Sequence, residues 1–539
     1  MRQLDKKQSA FKAEEITYLD RKSIQLDRML LKFFELLRFD GHAAIRRRRQ
    51  STDIAALVSH LNDTDGRFDG FGPHPEIAEA WLTNDILDMI NRGKPGREAI
   101  VGPRPFHLNA FKLANPKYVQ DYGASTQVWA MLYHADRPLL GRLKEFFGRG
   151  VDPATDRYDL RTELDLETLA VLGMVDPLKV DHATAGLAEP IRPLCAGQGR
   201  VLADDLRRLL AYEGVMPRHM LAGYVRTALG LHLALLMLRL FKLIPNWVDR
   251  ASAKPHAGPP PCAVDEGGAL DCSLCPYRLE MVVDMVEDPR GPTAQLAIAS
   301  TNSHLDGITA YVRAVLLLNR LKDFAAMRAV RGLQQPSRAV EDLLKLIADP
   351  PSDMDGFFSA RISDVIALEQ SEALDPVEQG ILRMTQLTPL EQYVELICRI
   401  RLRNERQRLI QLIDSLTDKN RPGGFLRQTA GQRTPRWFVL GSRLLEMLVQ
   451  LALVERDPSG RLQARPMLID DFVEWLRTRY GFVIYAPAHR SVPPDEQAAW
   501  RRNEQALRER LHQIGFFTDL SDAYNSQTLR PRYEVRADG

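Results

Sequence analysis

Apolar residues recur at three- and four-residue spacings along most of the chain, the repeat of a helix with one buried face. Residues 23–38 (SIQLDRMLLKFFELLR) keep this spacing and stop at Asp40-Gly41, a natural helix end. The same signature covers 202–212, 219–243, 308–330, 338–348 and 388–416, and a charged helix is predicted from about Gln497 to Ile514. Strand-type alternation is nearly absent, so the pattern predicts a mainly α, multi-helical, multidomain protein. Pro- and Gly-rich stretches punctuate it: 251–271 (ASAKPHAGPPPCAVDEGGALD) reads as a long loop after a helix ending near Pro245, and 486–496 (APAHRSVPPDE) as a second break. These breaks divide the chain into an N-terminal helical domain (1–200), a central helical domain (201–385) carrying a Cys-rich loop (251–276), a winged-helix-like module (386–485) and a C-terminal helical tail (486–539). No repeat of 20–50 residues is visible, which excludes a solenoid.

The most apolar stretch, Thr227 to Leu238 (TALGLHLALLML), is broken by Arg239 and Lys242 after a dozen residues, against roughly 20 for a membrane span. It reads as a buried helix, with no membrane partner. With 539 residues, 45% hydrophobic and 26% charged, the composition is that of a chain with a large core and excludes a disordered tail. Five cysteines, three of them crowded into 262–275, and a charged N-terminus without a signal-length apolar run fit a reducing cytoplasm better than a disulfide framework.

The formal net charge is only +2, but it is unevenly spread. Residues 1–50 hold 13 Lys or Arg against 7 acids, a local +6 that includes the run Arg46 to Arg49. Residues 399–443 hold 11 against 3, a local +8, and ten of the eleven are arginine. Guanidinium forks match phosphate bidentately, so the second cluster predicts contact with DNA or RNA backbone, against the plainer reading of a solvated face or an interdomain ion-pair partner.

That cluster runs into the most interpretable segment. An Arg-rich lead-in (FLRQTAGQRTPRWFVL) meets Gly441-Ser442, where Ser442 can cap a helix through RLLEMLVQLAL; a hairpin follows, LVERD, the turn Pro458-Ser459-Gly460, and RLQARPM. Helix, strand, turn and strand is the order of a winged helix, whose helix faces the major groove and whose wing touches backbone. Leu444, Leu445, Leu448, Leu451 and Leu453 form its expected core. Arg427, Arg433, Arg436, Arg443, Arg456, Arg461 and Arg465 are its expected nucleic-acid contacts. The helix has few polar side chains for base edges, so binding would be phosphate-driven and weakly specific. Winged helices that bind only protein have the same pattern.

Cys262-x9-Cys272-x2-Cys275 is the sharpest chemical feature. A C-x2-C pair places two thiolates on one turn, and Pro276 follows as in structural zinc knuckles. The expected cofactor is a structural zinc on Cys262, Cys272, Cys275 and His256, with Cys195 and His304 as distant alternatives to the histidine. Such an ion would hold a loop that apolar burial cannot.

Enzyme motifs are scarce. The chain has no G-x-x-x-x-G-K-[ST] phosphate loop, G-x-S-x-G elbow, kinase signature, G-x-G-x-x-G or H-E-x-x-H. Arg226 and His232 have the R-x5-H spacing of helical ribonucleases of the HEPN family, but Thr227 stands where that family has Asn, Asp or His. Catalysis by Arg226 and His232 is therefore an alternative, and a histidine satisfied inside an apolar helix is the default. Ser303 or Asp306 reads as the cap of a helix starting near Ile308, and Asp204-Asp205 and Asp470-Asp471 as acidic helix starts.

Residues 469–487 (IDDFVEWLRTRYGFVIYAP) and the tail 507–533 (LRERLHQIGFFTDLSDAYNSQTLRPRY) resemble accessory proteins of bacterial anti-phage defence islands, nearest to a component of methylation-associated defence systems, and the resemblance covers roughly the last 120 residues and the region 219–330. The resemblance implies a role in defence beside partner subunits that supply methylation and nuclease chemistry. It assigns no catalytic residue. The combined expectation is a non-catalytic subunit of a nucleic-acid-associated defence complex; the alternatives are a HEPN-like ribonuclease and a protein-only scaffold.

Overall fold

The computed structural model describes residues 11–43, 53–62, 68–90, 99–152, 155–159, 162–175, 189–253, 262, 270, 275–333, 339–367, 375–431, 434–486, 492–517 and 527–535. Its framework is helical, as the spacing predicts. Helix α1 (Leu26–Arg38) is followed by an antiparallel hairpin of β1 (Leu87–Ile90) and β2 (Ala99–Pro103), and then by α2 (Ala124–Ala135) and α3 (Arg137–Gly148). α1 packs against α2 and α3, and α2 packs against α4 (Ala196–Leu210).

The centre of the molecule is α5 (Arg218–Ala253), a 36-residue helix. It is long and apolar enough to cross a membrane, yet 94% of its most apolar window is buried inside the protein by α4 on one side and α6 (Pro292–Val330) on another. Two boundaries differ from the expectation. Pro245 does not end α5: the helix continues to Ala253 because Trp247, Val248 and Ala251 on its last turns are buried, and that packing outweighs the hydrogen bond the proline cannot donate. Nor does a helix start near Ile308. The start lies sixteen residues earlier, where Gly291 is extended and Pro292 takes the first helical position, so Ser303 and Asp306 sit inside α6 and cap nothing.

α6 packs against α7 (Pro389–Leu416), whose Thr388 and Glu391 form a capping box. The C-terminal third then runs through a two-stranded ladder, β3 (Leu426–Gln428) with β4 (Arg436–Phe438); helix α8 (Ser442–Ala452); the hairpin β5 (Val454–Arg456) and β6 (Leu462–Ala464); and α9 (Ile469–Tyr480). The hairpin was expected and the β3–β4 ladder inside the Arg-rich lead-in was not. Ser442 does not cap α8: Gly441 holds the N-cap position, where a Cβ would lie 2.4 Å from the Pro422 carbonyl oxygen, and Ser442 is the first helical residue.

One continuous apolar core runs from Phe11 to Val535, through all four sequence segments. Short backbone pairings reinforce it. Met281 and Val282 pair in parallel with Phe482 and Val483, tying the centre of the chain to the segment after α9. This approach needs Gly481, which ends α9 at φ +84° and whose Cβ, if present, would stand 2.2 Å from the Leu279 carbonyl oxygen.

Candidate nucleic-acid interface

α8 is in the core on almost every side. Leu444, Leu445, Leu448 and Leu451 are fully buried, as predicted, and so are Met447, Val449, Gln450 and Ala452; beyond the first turn no residue of the helix is exposed. A helix enclosed by α4, α5 and α9 has no face to lay in a major groove, so direct reading of DNA by this helix is not the geometry of this module.

The predicted arginines divide into two groups. Arg427 pairs with Glu287, which also holds Arg510 at 2.7 Å, and Arg436 grips Asp414 of α7 with both arms at 2.7 and 2.9 Å. These two fasten the β3–β4 ladder to its neighbours. Arg433 lies outside the described residues, as does the Arg46 to Arg49 run. Arg456, Arg461 and Arg465 form the second group, all exposed, on or beside the β5–β6 hairpin. Arg443 is also exposed but points elsewhere, its guanidinium lying across Gly223 of α5, where a Cβ would meet it at 2.3 Å.

Local chemistry shapes the hairpin. The strands pair Val454 with Ala464 and Arg456 with Leu462. At the tip, the Asp457 carboxylate accepts from the Ser459 N–H (2.8 Å), the Ser459 hydroxyl (2.6 Å) and the Arg461 N–H (3.0 Å), and Gly460 closes the turn at φ +84°. The Ser459 hydroxyl bond and those N–H bonds hold the Asp457 carboxyl below the usual carboxylate range. At the base, Arg208 of α4 donates to the Leu451 carbonyl (3.1 Å) and to the Val454 carbonyl, and Arg456 reaches Asp204 at 3.2 Å while its side chain stays 45% exposed.

Asp204 leads to a buried polar network that the sequence reading missed. Asp204-Asp205 is not a helix start: the pair lies in the second half of α4, Asp205 fully buried. Asp205 accepts from Arg479 Nε (2.9 Å), the Tyr480 hydroxyl (2.7 Å) and His232 Nε2 (2.8 Å), and Arg479 also donates to Asp204 (2.9 Å). Burial alone would raise the Asp205 pKa, but Arg479, His232 and Tyr480 together hold it down to about 2. Burial lowers the pKa of His232 in spite of Asp205, so the ring is neutral, donating from Nε2 and accepting from the Gln198 amide at Nδ1 (2.6 Å). A signal was present: Asp205 stands four residues after Val201 and four before Leu209, on the apolar face of its own helix.

The same network explains the R-x5-H pair. His232 faces α4 and α9 in the interior, while Arg226 pairs with Asp27 of α1 (2.5 Å) and with Asp418 (3.8 Å). The two side chains leave α5 in different directions and share no partner, so the geometry assembles no ribonuclease pair from them.

Of the expected zinc ligands, Cys272 and His256 lie outside the described residues. Cys262 and Cys275 are half-buried; the Tyr277 N–H donates to the Cys275 sulfur at 3.4 Å, and burial raises the Cys275 thiol pKa. Cys195 is buried at the N-cap of α4, and His304 Nδ1 donates to the Ser300 carbonyl within α6. Among the described residues, no three Cys, His, Asp or Glu side chains stand together so as to hold a metal ion.

A family model described as methylation-associated defense system protein MAD7 matches residues 6–533. No curated protein and no solved structure matches the chain.

Proposed function

Since the chain belongs to the MAD7 family of methylation-associated defense system proteins, and is thus a component of such a system, we propose that it acts there as a non-catalytic subunit holding nucleic-acid backbone with its β5–β6 hairpin. The observation that carries this reading is the display of Arg456, Arg461 and Arg465 around one hairpin whose base is clamped to α4. Each guanidinium can neutralise one phosphate, and a rigid platform limits the entropy lost in doing so. With α8 enclosed, the contacts available are to phosphate, so the binding is weakly sequence-specific. Partner subunits supply the chemistry, and the cytoplasm, where invading DNA meets them, is the compartment. A structural zinc on Cys262, Cys272 and Cys275, with His256 as fourth ligand, is part of the same reading, tested by the zinc content of Cys275→Ser against the parent protein.

The main test is fluorescence anisotropy with labelled duplex DNA and single-stranded RNA across a salt series. Log affinity should fall linearly with log salt, and neutralising Arg456, Arg461 and Arg465 to glutamine should flatten the slope by about one for each lost phosphate contact. Equal binding by the triple variant, or no binding at low salt, would overturn the reading and leave the hairpin as a protein-facing surface.

A further inference from the structure

On another side of the molecule, α1, the β1–β2 hairpin, the first turns of α5 and the turn after α7 enclose two adjoining clefts of about 620 and 310 Å³, in the size range of small-molecule sites. They share Asp27, Arg104, Arg226, Asp418 and Arg421 along their common wall.

Charge differs between them. The smaller cleft is lined by four arginines (Arg104, Arg226, Arg421 and Arg443) and His219, against two carboxylates, Asp27 and Asp418. Both carboxylates are already engaged: Asp27 by Arg226 at 2.5 Å, and Asp418 by Arg226 at 3.8 Å and Arg421 at 3.7 Å. Arg104, exposed, donates to the Asn84 carbonyl at 3.2 Å, and neither Arg104, His219 nor Arg443 has an ion-pair partner among the described residues. The larger cleft is nearly balanced: Asp88 is bound by Arg28 at 2.7 Å, and Asp414 by Lys419 at 2.7 Å and by Arg436. Apart from the charged wall it shares with the smaller cleft, its lining includes the apolar Leu31, Leu87, Met89 and Pro103 beside the neutral groups of Ser23, Gln25 and Gln411. A cationic end next to a neutral one with an apolar floor fits a ligand that is itself divided into a phosphate and a flat, hydrogen-bonding body.

We propose that these clefts bind a nucleoside 5′-phosphate, the phosphate between Arg104, His219 and Arg443 and the nucleoside over the floor of the larger cleft. The site uses none of the hairpin arginines, so it stands or falls independently of the reading above. Gly223 belongs to its construction, because the missing side chain lets the Arg443 guanidinium approach α5 where both line the smaller cleft. The shared chemistry has two sources, a free nucleotide and the phosphorylated 5′ end of a strand.

Isothermal titration of the full chain with adenosine 5′-monophosphate, adenosine, and a ten-nucleotide strand with a 5′-phosphate or a 5′-hydroxyl separates them. The expected result is binding of the phosphorylated probes and at least tenfold weaker binding of their unphosphorylated counterparts, the strands being compared in the triple hairpin variant so that backbone contacts there do not mask the 5′ end. Tighter binding of the mononucleotide identifies a nucleotide site, and tighter binding of the phosphorylated strand a strand-end site. Arg104→Glu with Arg443→Glu should weaken the preferred probe about 100-fold, as loss of two charge-assisted contacts implies. Gly223→Ala, which leaves every charge in place and displaces only the tip of Arg443, should weaken it severalfold with an unchanged circular dichroism spectrum. The triple hairpin variant should bind adenosine 5′-monophosphate like the parent. Equal affinity for phosphorylated and unphosphorylated probes, or equal binding by the parent and the double charge reversal, would overturn the proposal.

Discussion

Asp205→Asn is the substitution that reads the interior most directly. In the folded protein, Asp204 and Asp205 face three guanidiniums, those of Arg208, Arg456 and Arg479, of which Arg479 is 4% exposed. Asparagine keeps the shape but removes the charge. Arg479 is then left with Asp204 alone, which already serves the other two arginines, and the Asn NH2 group faces donors from Arg479, Tyr480 or His232. Breaking a buried pair by neutralising one member costs about 3–5 kcal/mol, because the remaining charge is stranded away from water. With an m-value of about 3 kcal/mol/M, the urea midpoint should fall by more than 1 M at pH 7. Tryptophan fluorescence is a suitable probe, since Trp475 packs edge-to-face against Tyr480 within the same cluster. A loss below about 0.5 kcal/mol would refute the reasoning and mean that solvent or rearrangement satisfies Arg479.

Two further predictions follow from the same geometry. The Asp205 pKa is held at about 2 in the fold against 3.8 for the free group, so the unfolded chain takes up its proton first as pH falls; this contributes about 2 kcal/mol that is intact above pH 4 and lost between pH 4 and 2. His232, held below its usual 6.5, acts in the same direction and begins to cost stability below that pH; urea midpoints across pH 7.5 to 2 should decline in the parent, and a profile flat from pH 6.5 to 4 would refute the His232 assignment, one flat from pH 4 to 2 the Asp205 assignment. Gly481→Ala should lose about 1–3 kcal/mol from left-handed backbone strain, with more from the clash with the Leu279 carbonyl, and amide exchange should speed up first at Met281 and Val283; normal protection there would show that the chain can route around the contact.

Much of the helical framework was legible in the sequence, for a physical reason. α1, α4, α5 and α7 each carry an apolar stripe at helical spacing, and such a stripe forces burial whatever lies opposite. The hairpin at 454–464 was legible too, because Pro458-Ser459-Gly460 is local turn chemistry. The failures are equally specific. Pro245 and the SHLDG segment looked like breaks because local propensity disfavours helix there, and tertiary packing along α5 and α6 overrode it. Arg427 and Arg436 looked like phosphate contacts because a charge count cannot see Glu287 arriving from a distant part of the chain, nor that Asp414, though counted, stands within reach of both arms of Arg436.

By itself, then, the sequence determined what depends on neighbours a few residues away: the helix-rich class, the buried character of residues 227–238 and the hairpin; it also held a resemblance to methylation-associated defence proteins, read in the region 219–330 and the C-terminal part, which the family match extends to residues 6–533. Tertiary structure alone decided which charges are spent and which are offered. Asp205, His232 and Arg479 come from positions 27 and 274 residues apart, and only folding makes them one network in which each satisfies the others away from water. The same closure leaves Arg104, Arg443, Arg461 and Arg465 facing solvent, and Arg456 half-exposed while it reaches Asp204. An ion pair depends on the distance between its partners, and for residues so far apart along the chain that distance is set by the packing of α4, α5 and α9 together.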